Sequence, residues 1–151
     1  MTTSTIASSE RRIIFGLGVT GQSVARWWRQ QGVPFYAIDS RTELQEDSNA
    51  IAHVDRDQAT FGDIDVAVAD DCTEMIVSPG VALDHPLVER ALKRGCRVRG
   101  DIDLFLEAAE APVVGITGSN GKSTVTSLLG EMIAACDVKV AVGGNLGRPA
   151  L

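Results

Sequence analysis

Eight residues, Thr117-Gly118-Ser119-Asn120-Gly121-Lys122-Ser123-Thr124, carry the strongest chemical signal in the chain. A glycine-rich turn between a strand and a helix N-terminus aims several backbone N–H groups at one point, with the positive end of the helix dipole behind them, and so favours an anion. Lys122 adds a full positive charge able to reach β- and γ-phosphates, and the Ser123 hydroxyl suits a Mg²⁺ ion. Gly118, Ser119, Asn120, Gly121, Lys122, Ser123 and Thr124 are therefore expected to hold the phosphates of a nucleoside triphosphate. The strict pattern G-x-x-x-x-G-K-[ST] would place glycine where Ile116 stands, so the match is offset by one residue. Plain turn chemistry is the competing explanation of the same glycines.

A second glycine pattern lies near the start. Ile13-Ile14-Phe15 reads as a strand running into Gly16-Leu17-Gly18-Val19-Thr20-Gly21, after which Val24, Trp27 and Trp28 recur at helical spacing and Gly32 ends the helix. Strand, G-x-G-x-x-G and helix open a nucleotide-binding βαβ unit. Phe35 to Ile38 is the next strand. Asp39 follows 18 residues after Gly21, where a dinucleotide enzyme keeps its ribose-binding acid, with Ser40 and Arg41 beside it. A polar turn without ligand duties is the alternative for these three residues.

The remaining elements must position these groups. Residues 42–63 have no clear pattern, and His53 among them reads as a surface residue. Ile64 to Ala69 is ambiguous between strand and short helix, whereas Met75-Ile76-Val77 is a strand. Ser78-Pro79-Gly80 ends that strand where a backbone N–H can face a ligand. Asp84 is expected to cap a helix with Pro86 in its first turn, Leu87, Val88, Ala91 and Leu92 inward, and Gly95 at its end. Arg97 to Arg99 reads as a short edge strand, and Asp101 to Ala109 as a bridging helix. Val113 to Ile116 and Val138 to Val142 are expected strands on either side of a helix whose apolar face is Val125, Leu128, Leu129 and Met132.

Composition bounds the class. At 151 residues and 44% hydrophobic, the chain can bury a core. With 14 Lys plus Arg against 20 Asp plus Glu, the net charge of −6 argues against nonspecific binding to nucleic acid or a membrane surface. Cys72, Cys96 and Cys136 are odd in number and lack C-x-x-C spacing, so neither a disulfide framework nor a zinc site is expected. No apolar leader opens the chain and no run approaches about 18 apolar residues, which points to the cytoplasm. The expected fold class is α/β: a Rossmann-like parallel-sheet N-terminal domain over 1–100, followed over 101–151 by the start of a P-loop-type ATPase α/β domain that is incomplete.

Taken together, GLGVTGQS (16–23), DSR (39–41), SPGVAL (78–83), GDIDLF (100–105), GITGSNGKSTVTSLLGEM (115–132) and VGGNLGRPAL (142–151) resemble the Mur ligase family. Lys-Ser-Thr after Gly121, rather than Lys-Thr-Thr, is similar to its D-glutamate-adding branch. The family's phosphate loop carries the same one-residue offset. The resemblance implies an ATP- and Mg²⁺-dependent ligation of D-glutamate to UDP-N-acetylmuramoyl-L-alanine through an acyl phosphate in peptidoglycan synthesis. It implies ATP phosphates on 118–124 with Lys122 catalytic and Ser123 on Mg²⁺. Val19 and Thr20 would meet the UDP pyrophosphate, and Asp39, Ser40 and Arg41 the uridine, with Gly80 and Asn145 completing the UDP-substrate site. The family's further Mg²⁺-binding acid, histidine, modified lysine and D-glutamate pocket have no counterpart among these residues, so the chain alone is expected to be inactive, and monomeric. A sister Mur ligase, an NAD-linked oxidoreductase and a nucleotide-sensing module are the competing readings.

Overall fold

The computed structural model describes residues 10–144 and 149–151. The chain divides into two compact units, one running to Leu104 together with Leu151 and the other Phe105–Ala150.

The first unit is built on five parallel strands: β1 (Arg12–Phe15), β2 (Tyr36–Asp39), β3 (Ala59–Phe61), β4 (Glu74–Val77) and β5 (Arg97–Arg99), in the order β3-β2-β1-β4-β5. The β-branched and aliphatic residues of the three inner strands suit a sheet covered on both faces. Alternation then decides which face each residue serves. Ile13, Phe15, Ile38, Met75 and Val77 pack with Leu87, Val88 and Ala91 of helix α2 (Pro86–Lys93). Ile14, Ala37 and Ile76 pack with Val24, Ala25 and Trp28 of helix α1 (Val19–Gln30).

Since every strand points the same way, the C-terminal ends of β1, β2 and β4 share one rim. Register places Ile14 beside Ala37 and Ile76, so the segments after Phe15 and Val77 leave adjacent strands. The chain builds outward from β1 to β2 and β3, then crosses to β4 and β5. The β1/β4 boundary is thus the topological switch point, where open parallel sheets form a ligand crevice.

Several local expectations need correction. Of the two readings open for Ile64 to Ala69 the helical one holds: Val66–Ala69 is a short 3₁₀ helix, capped by Asp65, which accepts from the Ala67 N–H at 2.9 Å. His85, not Asp84, caps α2: its Nδ1 accepts from the Leu87 N–H at 3.1 Å and its ring stands edge-on to Phe15. Leu92 is exposed, since α2 is short and its inward stripe is filled by Leu87, Val88 and Ala91. In the uncharted stretch, 3₁₀ turns at Thr42–Gln45 and Arg56–Gln58 lead to β3, and His53 is half-buried. Helix α3 (Asp101–Ala108) buries only Leu104, with Ile102 exposed.

In the second unit, helix α4 (Lys122–Ala134) follows the glycine loop. Residues 113–116 and 138–142 form no ladder, contrary to expectation: a parallel strand exists only through a neighbour's backbone groups, and among the described residues none pairs with them. Val125, Leu128 and Met132 are exposed. Gly130 is buried against Val142, whose Cγ2 would lie 2.5 Å from an added Cβ. Among the described residues no helix is long and apolar enough to cross a membrane.

Candidate functional site

The rim of the first unit is organised by Asp39, the last residue of β2. The residue is 2% exposed and both carboxylate oxygens are engaged. Oδ2 accepts from the Leu17 N–H at 2.6 Å and from Arg41 Nη2 at 2.8 Å; Oδ1 accepts from the Arg41 N–H and Nε, each at 2.9 Å. Burial pushes this carboxyl up, but the guanidinium fork and the two amides outweigh it and hold the pKa below the ordinary value. Asp39 therefore stays ionised and clamps the glycine turn on one side and Arg41 on the other. The Arg41 guanidinium is half-exposed, and among the described residues its Nη1 makes no hydrogen bond. Ser40 is exposed beside it.

The turn itself needs its glycines at two positions. Gly16 has φ +94°, and an added Cβ would meet Ser78 Cβ at 2.9 Å. Gly21 packs α1 onto the turn so closely that a Cβ would lie 1.8 Å from the Gly16 carbonyl oxygen. Ser78 is a brace that sequence reasoning missed. Its buried hydroxyl donates to Gly16 O at 2.6 Å, while its N–H donates to Phe15 O at 2.9 Å. A small hydroxyl residue at the end of the strand beside a glycine turn was the available signal. Gly80, two residues on, is exposed on the same rim.

The two glycine loops share an electrostatic feature. Helix α1 starts on Gly18 and α4 on Gly121, neither with a side-chain cap, and neither has an acid in its first turn. By contrast α2 is capped by His85 and carries Glu89, and α3 begins with Asp101 and Asp103. The Val19 and Thr20 amides, and those from Ser119 to Thr124, make no hydrogen bond among the described residues. Val19 is 67% exposed and residues 117–125 are exposed throughout. These N–H groups and their dipoles remain available to an anion.

Within the second loop, Gly121 has φ +76°, a left-handed conformation that sets the first turn of α4. Lys122 folds back so that Nζ donates to the carbonyls of Gly118 and Ser119, keeping its charge inside the loop. The loop fits a polyphosphate. For Mg²⁺, Ser123 offers one hydroxyl oxygen, and no cluster of three His, Cys, Asp or Glu side chains is found among the described residues. This unit can thus supply one ligand to an ion whose other oxygens come from phosphate and elsewhere. Asn145 lies outside the described residues.

Comparison with known proteins bears on the family and the fold. The family model for the Mur ligase MurD-like N-terminal domain matches residues 10–100. The chain is similar to the UDP-N-acetylmuramoylalanine–D-glutamate ligase of Pseudomonas aeruginosa, at 46% identity over 98% of this chain and 33% of the relative. Those of Pseudomonas putida (44%, 100% and 34%) and Marinobacter nauticus (45%, 98% and 33%) are similar in the same way. The chain spans about a third of the length of these curated relatives. A pseudomurein peptide ligase type C from Methanothermus fervidus has a like fold, with a TM-score of 0.52 at 21% identity, over 83% of this chain and 26% of that one. With well over half its length matched by one model, the chain belongs to the Mur ligase MurD-like N-terminal domain family.

Proposed function

We propose that this chain is the N-terminal part of an ATP-dependent ligase joining D-glutamate to UDP-N-acetylmuramoyl-L-alanine in peptidoglycan synthesis, with residues 1–100 as the UDP-substrate domain and 101–151 as the opening of the ATP domain. The observation that carries it is the pair of uncapped, acid-free helix N-termini behind two glycine loops, where the other helix starts among the described residues are capped or acidic. Two anion cradles suit an enzyme that holds two phosphate-bearing molecules at once.

In the first cradle the Val19 and Thr20 amides take the pyrophosphate. Asp39 holds Arg41 in place, so that Arg41 and Ser40 meet the uridine, with Gly80 and Asn145 contributing along the substrate. In the second, residues 118–124 bind the ATP phosphates. Lys122 exchanges its loop carbonyls for the γ-phosphoryl oxygens and neutralises charge as that group moves to the substrate carboxylate. The Ser123 hydroxyl would be one ligand of a Mg²⁺ ion, which when bound would neutralise further phosphate charge. An amine then displaces phosphate from the acyl phosphate to form the amide.

The buried engagement of Asp39 with Leu17 and Arg41 weighs against an NAD-linked enzyme, in which that acid must face a ribose. The acidic charge and the lack of a membrane-crossing helix among the described residues support a cytoplasmic protein, read here as a monomer. The test is Lys122→Ala in the full-length protein that carries this chain. Ligation of D-glutamate should vanish while the UDP-substrate still binds; near-normal ligation would refute the role given to Lys122.

A further inference from the structure

Cys72 and Cys96 are separated by 23 intervening residues in the sequence, yet their sulfurs lie 2.7 Å apart. Each residue ends the turn that feeds a strand. Cys72 closes the one after the 3₁₀ turn, donating its N–H to Ala69 O, and Cys96 follows Gly95, donating its N–H to Ala91 O. Parallel pairing sets Glu74 opposite Arg97, so the residues just before β4 and β5 meet at the lower edge of the sheet, opposite the nucleotide rim. Both side chains are about 5% exposed, in the apolar cluster with Ala69, Met75 and Ala91, and both are free thiols. A disulfide needs an S–S distance of about 2.05 Å, so closure asks for a movement of roughly 0.7 Å.

We propose that Cys72 and Cys96 form an oxidation site, converted by a hydroperoxide to an intrachain disulfide that staples the foot of β4 to the foot of β5 and reopened by a thiol reductant. Contact with Cys96, together with burial, pushes the Cys72 thiol up, while contact with Cys72 lowers Cys96. The Cys72 thiol donates to the Glu74 carbonyl at 3.2 Å, which holds its proton in place, so Cys96 is the sulfur that attacks. Its thiolate takes the terminal peroxide oxygen and the O–O bond breaks, leaving a sulfenic acid and, after protonation by the proton Cys96 gave up, one water when the oxidant is hydrogen peroxide. The Cys72 sulfur then attacks the Cys96 sulfur, and the hydroxyl leaves with the Cys72 proton as a second water. Each sulfur gives up one electron, and peroxide takes both.

The test uses the 151-residue chain with the exposed Cys136 changed to Ser, so that contacts between molecules do not intervene. After hydrogen peroxide, alkylation under denaturing conditions and mass spectrometry should give an intact mass lower by about 2 Da, no alkylated thiol and a cross-linked peptide joining 72 to 96. Dithiothreitol should restore both thiols. Two alkylatable thiols after oxidation, or gains of about 16 or 32 Da without a cross-link, would overturn the proposal. Adding Cys72→Ser should convert the loss into an oxygen gain on Cys96; a Cys96 that then resists peroxide would overturn its assignment as the attacking sulfur.

Discussion

The Asp39 carboxylate accepts the Leu17 amide at 2.6 Å across 22 residues of sequence, joining the end of β2 to the glycine turn after β1. Charged acceptors make the stronger hydrogen bonds, and here burial keeps water from replacing them. Asp39→Ala should cost about 2–3 kcal/mol of folding stability, read as a lower urea midpoint. Asp39 also links folding to acidity. Its folded pKa lies below the reference 3.8, so its contribution is complete above about pH 4 and is lost as pH falls through the lower folded value. Asp39→Asn should therefore flatten the loss of stability as pH falls below about 4, relative to the unmodified chain. Identical pH profiles would show that the clamp contributes nothing.

Two glycines of the same turn should respond to alanine very unequally. A Cβ at Gly21 would stand 1.8 Å from backbone, which cannot swing aside, so Gly21→Ala should cost about 3 kcal/mol or more or prevent folding. Gly18 has φ −70° and open space where its Cβ would go, so Gly18→Ala should stay within about 0.5 kcal/mol. Thermal or urea unfolding of the two variants side by side checks the contrast.

Arg41 and Lys122 should separate the two cradles functionally. With its Nη1 available and its fork fixed by Asp39, Arg41 is proposed as the directional donor of the first cradle. In the full-length protein, Arg41→Ala should weaken UDP-substrate binding about tenfold or more, measured calorimetrically. ATP binding should hold. Lys122→Ala should give the reverse pattern.

Asp70 offers an electrostatic check away from either cradle. Arg90 donates Nε and Nη2 to its two oxygens at 2.7 and 2.6 Å, and Arg94 adds a bond at 3.1 Å. These guanidinium groups hold its pKa at about 2. Carboxyl carbon NMR should find that midpoint in the unmodified chain, and Arg90→Ala should move it up toward 3.8. No movement would mean that the pairing does not persist in solution.

What was legible in the sequence was local. The strand, glycine turn and helix over 13–32 could be read because turn chemistry, a β-branched run and helical spacing all lie within one window, and the same holds for Met75 to Val77. Elements set by distant partners were not. β3 has three residues and exists because β2 offers it an edge, with the Gly62 N–H reaching Asp39 O at 2.9 Å. Val66 to Ala69 has strand-like composition, but one upstream acid turns it into a 3₁₀ coil. His85 took the cap from Asp84, a choice between neighbouring residues that composition does not decide. In the site, the acid after β2 could be found by its spacing from the glycines, yet its commitment to Leu17 and Arg41 could not. The Ser78 brace and the Cys72–Cys96 contact each join residues more than twenty positions apart, beyond any periodic pattern.

The outermost strand β5, pairing only with β4, carries arginine at two of its three positions. Any polypeptide arriving to lengthen the sheet on that flank would have to lie against the exposed Arg97 and strip water from its guanidinium group, beside the Arg99–Glu74 ion pair. The flank therefore opposes the stacking that exposed strand edges invite.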